Sequence, residues 1–138
     1  MTGDLDDIEN AQDVLRDAIA SLTEGFALYD ATSRLVLLNQ TIAEMNKAVA
    51  HLLKPGLDWE ILMRETARRG IYADAIGDEE NWVSARLAGG IEFIQDYELL
   101  ETDGRTYLVS VHPTRLGGFV VTREDITAKK QAEVEERD

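Results

Sequence analysis

The sequence predicts an α+β domain: a five-stranded antiparallel sheet with helices packed on one face, preceded by an amphipathic helix and followed by a second helix. Three observations lead to this expectation. Two short apolar runs near the N-terminus are joined by a polar turn, a central block carries helix caps and helix breakers, and three later runs alternate with period two. The first two strands have to join the other three, because an isolated hairpin is only marginally stable.

Composition excludes several classes of partner. The chain has 138 residues, with 27 acidic and 14 basic side chains and a net charge of −13. Nucleic acid and anionic membrane surfaces are not expected partners, because their phosphates attract basic faces. The absence of cysteine excludes disulfides, thiolate metal sites and flavin–cysteinyl photochemistry. No apolar run approaches the ~20 residues of a membrane-spanning helix, so we expect no membrane insertion and a cytoplasmic location.

The first segment, residues 1–22, is predicted to be an amphipathic dimerisation helix that is helical from residue 4. Its apolar residues recur at alternating three- and four-residue steps, the spacing of a coiled-coil seam. These residues are Ile8, Ala11, Leu15, Ala18 and Leu22. One alternative is a helix that packs only on its own domain. Because further apolar residues widen the seam, we expect the helix to contact both its own domain and a second copy, forming a homodimer.

A hairpin and three helices are predicted next. The hairpin joins the β-prone segments GFALYD and RLVLLN through the turn residues 30–33. Asn39 then occupies an N-cap position for a helix over 40–53, and Asp58 caps a second helix. A third helix is predicted within 77–90, between two glycine-containing segments.

Three strands are predicted near the C-terminus, over 91–101, 105–113 and 119–126. Asp103-Gly104 supplies a hairpin turn between the first two. The charged tail 127–138 favours a helix but has almost no apolar stripe, so we expect it to lean on another structure.

The order of these elements, together with three local motifs, resembles a PAS domain. The motifs are EGFALYD…RLVLLNQ at 24–40, DGRTYLVSVHPT at 103–114 and REDIT at 123–127. The resemblance covers about residues 23–127 and implies a non-catalytic signal-input and dimerisation module, of the type that precedes bacterial histidine kinases and nucleotide cyclases. It also implies that 128–138 begins an output helix leading to such an effector.

PAS domains carry a pocket between the inner face of the sheet and the central helices. Eight candidates for that pocket are Phe26, Leu28, Leu37, Phe93, Gln95, Tyr97, Val109 and Val121. The alternative is that these side chains only fill the core. Gln95 is the informative one, because an amide among apolar side chains needs a partner, which is a backbone group, a water or a ligand. The sequence leaves open whether a small molecule binds.

No cofactor is expected. PAS haem sensors carry a histidine on the helix before the third strand, here about 79–88, and this sequence has none there. The two histidines, His51 and His112, have no ligand spacing to carboxylates. The sequence therefore favours neither haem nor another metal.

The signal-transfer residues are expected at the end of the last strand. The resemblance identifies Asp125-Ile126-Thr127 as the triplet that leads into the output helix. Asp125 has two compatible roles: it caps the helix through amides of the first turn, and it latches the last strand to that helix. Arg123 or Lys129 is expected to balance its charge.

Two rival functions use the same fold. A small enzyme with an isomerase-like pocket needs a buried carboxylate base, but Asp96 and Glu98 fall on the strand face opposite Tyr97 in the predicted register. A ligand-free dimerisation adaptor differs from a sensor only in whether its pocket is occupied. We therefore expect a non-catalytic sensory domain.

Overall fold

The computed structural model describes residues 3–91 and 94–137. Its elements follow the predicted succession of helix, hairpin, helical block, three-stranded meander and helix. In chain order they are α1 (Gly3–Ala20), β1 (Gly25–Tyr29), β2 (Leu35–Leu38), α2 (Gln40–Met45), a 3-10 helix (Lys47–Leu52), α3 (Trp59–Arg68), a 3-10 turn (Ala73–Ala75), α4 (Glu79–Leu87), β3 (Tyr97–Leu100), β4 (Thr106–Pro113), β5 (Phe119–Asp125) and α5 (Thr127–Arg137).

The five strands form one antiparallel sheet in the order β2-β1-β5-β4-β3. The first strand pairs with the last, so that Ala27 lies opposite Val121 and the opening hairpin joins the closing meander. The chain approaches itself closely at this seam: a Cβ on Gly118 would lie 2.2 Å from the carbonyl oxygen of Tyr29. The predicted α+β class and single sheet are confirmed.

The core lies between one face of the sheet and the helical block. An aromatic cluster occupies the end where β1 stops and β5 starts. The rings of Tyr29 and Phe119 stack with centroids 5.0 Å apart, and the ring of Trp59 from α3 lies 5.1 Å from that of Phe119. Burial of such large rings is a main source of stability in a small domain.

Three predicted pocket residues lie on the outer face of the sheet. In β1 the buried side chains are Ala27 and Tyr29, whereas Phe26 and Leu28 are only partly buried. Leu37 pairs with Leu28 and shares its face. The prediction for Phe26, Leu28 and Leu37 is wrong because both strands are apolar in both phases of the two-residue alternation, so the pattern does not select the inner face.

The third strand is shorter than predicted. It begins at Tyr97, and Gln95 lies before it with an exposed side chain, so Gln95 is not an inner-face residue. Before this strand the amide of Ile94 donates to the carbonyl oxygen of Ile91, and the side chains of both residues pack against the core. Phe93 lies outside the described residues.

The helix predicted over 40–53 is interrupted. α2 ends at Met45, and a 3-10 helix follows Asn46. The side chain of Asn46 donates to the carbonyl oxygen of Ile42 at 2.7 Å and accepts from Arg123 at 2.9 Å. Such side-chain bonds compete with the helical backbone pattern and explain the break.

Both predicted N-caps are confirmed. Oδ1 of Asn39 accepts from the amide of Ile42 at 3.0 Å, and the Asp58 carboxylate accepts from two amides of the first turn of α3. Nδ2 of Asn39 also donates to the carbonyl oxygens of Ile19 and Glu24, at 3.2 and 3.0 Å. One buried amide therefore ties the end of α1 to the start of α2.

Candidate functional site

The chamber between the sheet and the helices is almost filled. Its remaining cavity has a volume of about 40 Å³, close to the ~30 Å³ that one water molecule occupies in the liquid. Three predicted residues, Tyr97, Val109 and Val121, line it. Tyr29 lines it as well, and the apolar alternation of β1 gave no signal to select that residue. Because ligand pockets usually hold about 300–1,000 Å³, a ligand of ordinary size requires these side chains to move.

A guanidinium group from α4 stacks on Tyr97, one of the residues that line the chamber. Arg86 lies over the rings of Trp82 and Tyr97, 4.0 and 4.4 Å from their centroids, and Tyr72 stacks on Trp82 at 4.7 Å. Each cation–π contact contributes about 0.5–2 kcal/mol. Burial raises the pKa of Tyr97 to about 12, so its phenol stays protonated in neutral solution.

A buried ion pair occupies the other end of the inner sheet face. The side chains of Arg123 and Glu101 are 5% and 7% exposed, and Nη2 of Arg123 lies 2.6 Å from Oε2 of Glu101. Nη1 of Arg123 donates to the carbonyl oxygen of Met45 and to Oδ1 of Asn46, and its guanidinium stacks on the ring of Tyr107. Burial raises the pKa of Glu101, and the charge of Arg123 opposes that rise.

The sequence suggested that Arg123 balances the charge of Asp125, but this is wrong. Arg123 points into the core, where Glu101 takes its charge. The cation that acts on Asp125 is Arg105, and the pKa of Asp125 is lowered by its hydrogen bonds with Thr127 and by that charge. Sequence reasoning missed Glu101 because it belongs to no motif; its only signal is an acid that directly follows an apolar strand end.

A larger cleft opens beside this ion pair. Its volume is about 260 Å³, and it lies between the end of α2 with the 3-10 helix and the β3–β4 turn. Glu101 and Tyr107 line it from the sheet, Met45 and Val49 from the helical side, and Arg105 from the turn. The sequence gave no indication of this cleft, which forms only when the hairpin turn and α2 meet.

The junction between the sheet and α5 is a small hydrogen-bond network. Oδ1 of Asp125 accepts from the amide and from the hydroxyl of Thr127. Oγ1 of Thr127 accepts from the amide of Thr106 at 3.0 Å, and the amide of Ile126 donates to the Thr106 carbonyl oxygen at 2.9 Å. Asp125 therefore hydrogen-bonds to Thr127, the first residue of α5. The side chain of a standard N-cap accepts instead from amides further into the first turn of the helix. The network joins β4, β5 and α5.

The predicted dimer seam on α1 is exposed. Ala11, Leu15, Ala18 and Leu22 all face solvent, and the side chain of Ile8 lies outside the described residues. Ile19, which flanks the seam, is the buried residue of this helix among those whose side chains are described.

Neither histidine lines the chamber or the cleft described above. His51 and His112 are both exposed. In residues 3–91 and 94–137 there is no group of three or more histidine, aspartate and glutamate side chains that could hold a metal ion. The same ranges contain no helix with the length and apolarity needed to cross a membrane.

Sequence comparison identifies a family and a relative. A family model described as PAS fold matches residues 19–134. The "Non-motile and phage-resistance protein" of Caulobacter vibrioides is 32% identical to this chain over 123 residues, which are 89% of this chain and 13% of that protein. The chain therefore spans only a small part of the relative's length.

Structural comparison identifies two solved domains to which this chain is similar. The PAS domain of an HTR-like protein from Haloarcula marismortui superposes with a TM-score of 0.53 at 20% identity, covering 91% of this chain and 100% of that one. A domain of the sensory box sensor histidine kinase/response regulator from Geobacter sulfurreducens gives a TM-score of 0.49 at 16% identity, covering 86% and 96%. The family match extends from the end of α1 into α5 and includes the whole sheet. The chain belongs to the PAS family.

Proposed function

We propose that this PAS domain is the input and dimerisation domain of a signalling protein whose effector is a histidine kinase. The observation that carries the proposal is the junction of Asp125, Thr127 and Thr106, which bonds two strands to the helix that leaves the domain. A nucleotide cyclase is the second effector that the C-terminal motif fits.

Thr127 is the pivot of the proposed transmission. Its hydroxyl accepts from β4 and donates to β5, so a shift of one strand relative to the other changes the support of α5. A typical hydrogen bond contributes about 1 kcal/mol. That is comparable with the few kcal/mol that separate two signalling states, so a small strand movement is sufficient to shift their populations.

The seam on α1 is the proposed dimer interface. Val14 and Leu15 are 61% and 56% exposed, although both are apolar. A single helix with solvated apolar side chains is marginally stable, and a second copy of α1 would bury them as in a coiled coil.

The length of the Caulobacter relative supports a modular role. The matched segment makes up 13% of that protein, so this type of domain occurs there as one part of a longer chain. We infer that α5 continues the signal into a neighbouring domain in the same way.

The test is to fuse the whole chain through α5 to the dimerisation and catalytic domains of a histidine kinase and to measure autophosphorylation. We expect Asp125→Ala, which removes the two hydrogen bonds to Thr127, each worth about 1 kcal/mol, to change the rate several-fold. Asp30→Ala is the matched control, because Asp30 accepts from the amide and hydroxyl of Thr32 in the same way but lies far from α5 along the chain.

Equal rates for the fusion, Asp125→Ala and Asp30→Ala would contradict the transmission role. Light scattering on the unfused chain, which lacks the dimerisation domain of the kinase, measures whether α1 forms the dimer. Leu15→Glu is expected to give monomers, whereas Leu116→Glu, at a side chain that is 93% exposed outside α1, should leave the dimer unchanged.

A further inference from the structure

The cleft beside the ion pair has the size and lining of a small-molecule site. Its volume of about 260 Å³ exceeds that of the packed chamber, about 40 Å³, several-fold. Both cavities border the inner sheet face, but the cleft opens at the β3–β4 turn. Ligand pockets usually hold about 300–1,000 Å³, so the cleft suits a ligand of only a few heavy atoms.

Glu101 gives the cleft a polar anchor. Its side chain is 7% exposed, and Arg123 occupies only Oε2. No donor in residues 3–91 and 94–137 hydrogen-bonds to the other oxygen, Oε1. Within those residues the one fully enclosed side-chain nitrogen or oxygen lacking a partner is Nε of Arg86, so Oε1 is open to the cleft. A carboxylate offers about four acceptor sites, and a desolvated one binds N–H donors strongly.

The helical side of the cleft carries apolar side chains beside two charged ones, Glu44 and Lys47. Met45, Val49 and Ile71 line it there, and they match an aliphatic chain rather than a sugar or a nucleotide. The cation on the turn side, Arg105, already has an acidic neighbour: its Nε lies 3.8 Å from Oδ2 of Asp103. The acceptor left without a donor at the floor is therefore Oε1 of Glu101, which favours a ligand that carries N–H donors, such as an ammonium group.

We propose that this cleft binds a small aliphatic molecule with a primary ammonium group. The ammonium donates to Oε1 of Glu101, and the aliphatic part packs on Met45, Val49 and Ile71. Two sources share this chemistry, a simple amine and an α-amino acid, and they differ in whether a carboxylate accompanies the ammonium.

The position of the cleft connects it to the output junction, and this part rests on the proposed function. Arg105 lines the cleft, and it also lines a neighbouring groove together with Asp125 and Thr127. A ligand that displaces Arg105 therefore alters the charge beside Asp125. Binding itself does not require that α5 drives a kinase, so the two ideas fail separately.

The test is an NMR titration of the full chain with three probes of matched shape: 3-methylbutylamine, leucine and 4-methylpentanoate. For a ligand of this size we expect the amine to bind with a Kd of about 1 mM. Methyl resonances of Met45, Val49 and Ile71 should shift in a saturable way with 3-methylbutylamine and not with 4-methylpentanoate. Leucine binding as tightly as the amine identifies amino acids as the source, and weaker binding identifies simple amines.

Two variants locate the site. Ala48→Phe places a ring in the cleft from a position that lines it, and we expect it to weaken amine binding about tenfold or more. His51→Phe adds the same ring to an exposed position of the same 3-10 helix outside the cleft, and should bind as wild type does. No saturable shift with either ammonium probe, equal binding of 4-methylpentanoate, or unchanged affinity in Ala48→Phe would each overturn the proposal.

Discussion

The two ends of the inner sheet face are closed by different chemistry. β5 begins with Phe119, which packs between the rings of Tyr29 and Trp59, and it reaches Arg123 on the same face, where a guanidinium pairs with Glu101. Between the two ends lies the cavity of about 40 Å³, which both Tyr29 and Arg123 line, whereas the cleft of about 260 Å³ opens at the charged end alone. Apolar packing gives the aromatic end a shape that does not depend on pH. At the charged end, the ion pair adds a carboxylate, Glu101, that titrates and can bind a ligand.

The largest effect is expected at the aromatic end. Phe119→Ala removes a side chain that is 2% exposed and stacked on Tyr29, and we expect a loss of about 3–5 kcal/mol in the free energy of unfolding. Urea denaturation followed by tryptophan fluorescence measures it. Leu116→Ala, at a side chain that is 93% exposed, is the control and should change stability by less than about 0.5 kcal/mol. A similar loss in both variants would show that this end does not form the core.

At the charged end, removal of one partner should cost nearly as much. Glu101→Ala leaves the guanidinium of Arg123 buried without its counter-charge, and breaking a buried pair costs about 3–5 kcal/mol. The double variant Glu101→Met with Arg123→Met removes both charges and should recover most of the loss. A double variant as unstable as Glu101→Ala would mean that the pair matters for its shape and not for its charge.

The smallest effect is a pH dependence that only the charged end should show. Because burial raises the pKa of folded Glu101 above its unfolded value, the unfolded chain ionises first as pH rises, and the folded state loses stability over that interval. Relative to Glu101→Gln, wild type should therefore weaken as pH rises from about 4.3, the ordinary glutamate pKa, through the raised value. The tyrosine at the aromatic end, Tyr29, titrates far above this range because burial raises its pKa.

Urea midpoints of wild type and of Glu101→Gln, measured at each pH, give the difference in stability between the two proteins. A difference that grows in the opposite direction, with wild type gaining stability as pH rises, would show that attraction to Arg123 outweighs burial.

The sequence predicted the fold far better than the pocket. Caps, turns and alternation are local, so Asn39, Asp58 and the Asp103-Gly104 turn were identified correctly without knowledge of the tertiary structure. The face of β1 was assigned wrongly because Phe26 and Tyr29 belong to different phases of the same apolar run, and local pattern cannot choose between them.

The ion pair lay beyond sequence reasoning for a different reason. Glu101 and Arg123 are 22 residues apart: Glu101 directly follows β3, whereas Arg123 belongs to β5, and β4 lies between these two strands in the sheet order. Only the folded sheet brings them together, and only their burial distinguishes them from the many charged surface residues of this acidic chain.

Gly118 has a consequence for the solubility of the chain. The backbone of Tyr29 occupies the place where its side chain would stand, so any larger residue would push β5 away from β1. Two unpaired strand edges, one on β1 and one on β5, would then face the solvent, and such edges readily pair with strands from other molecules. By allowing this seam to close, the smallest residue of the chain protects the domain from self-assembly into aggregates.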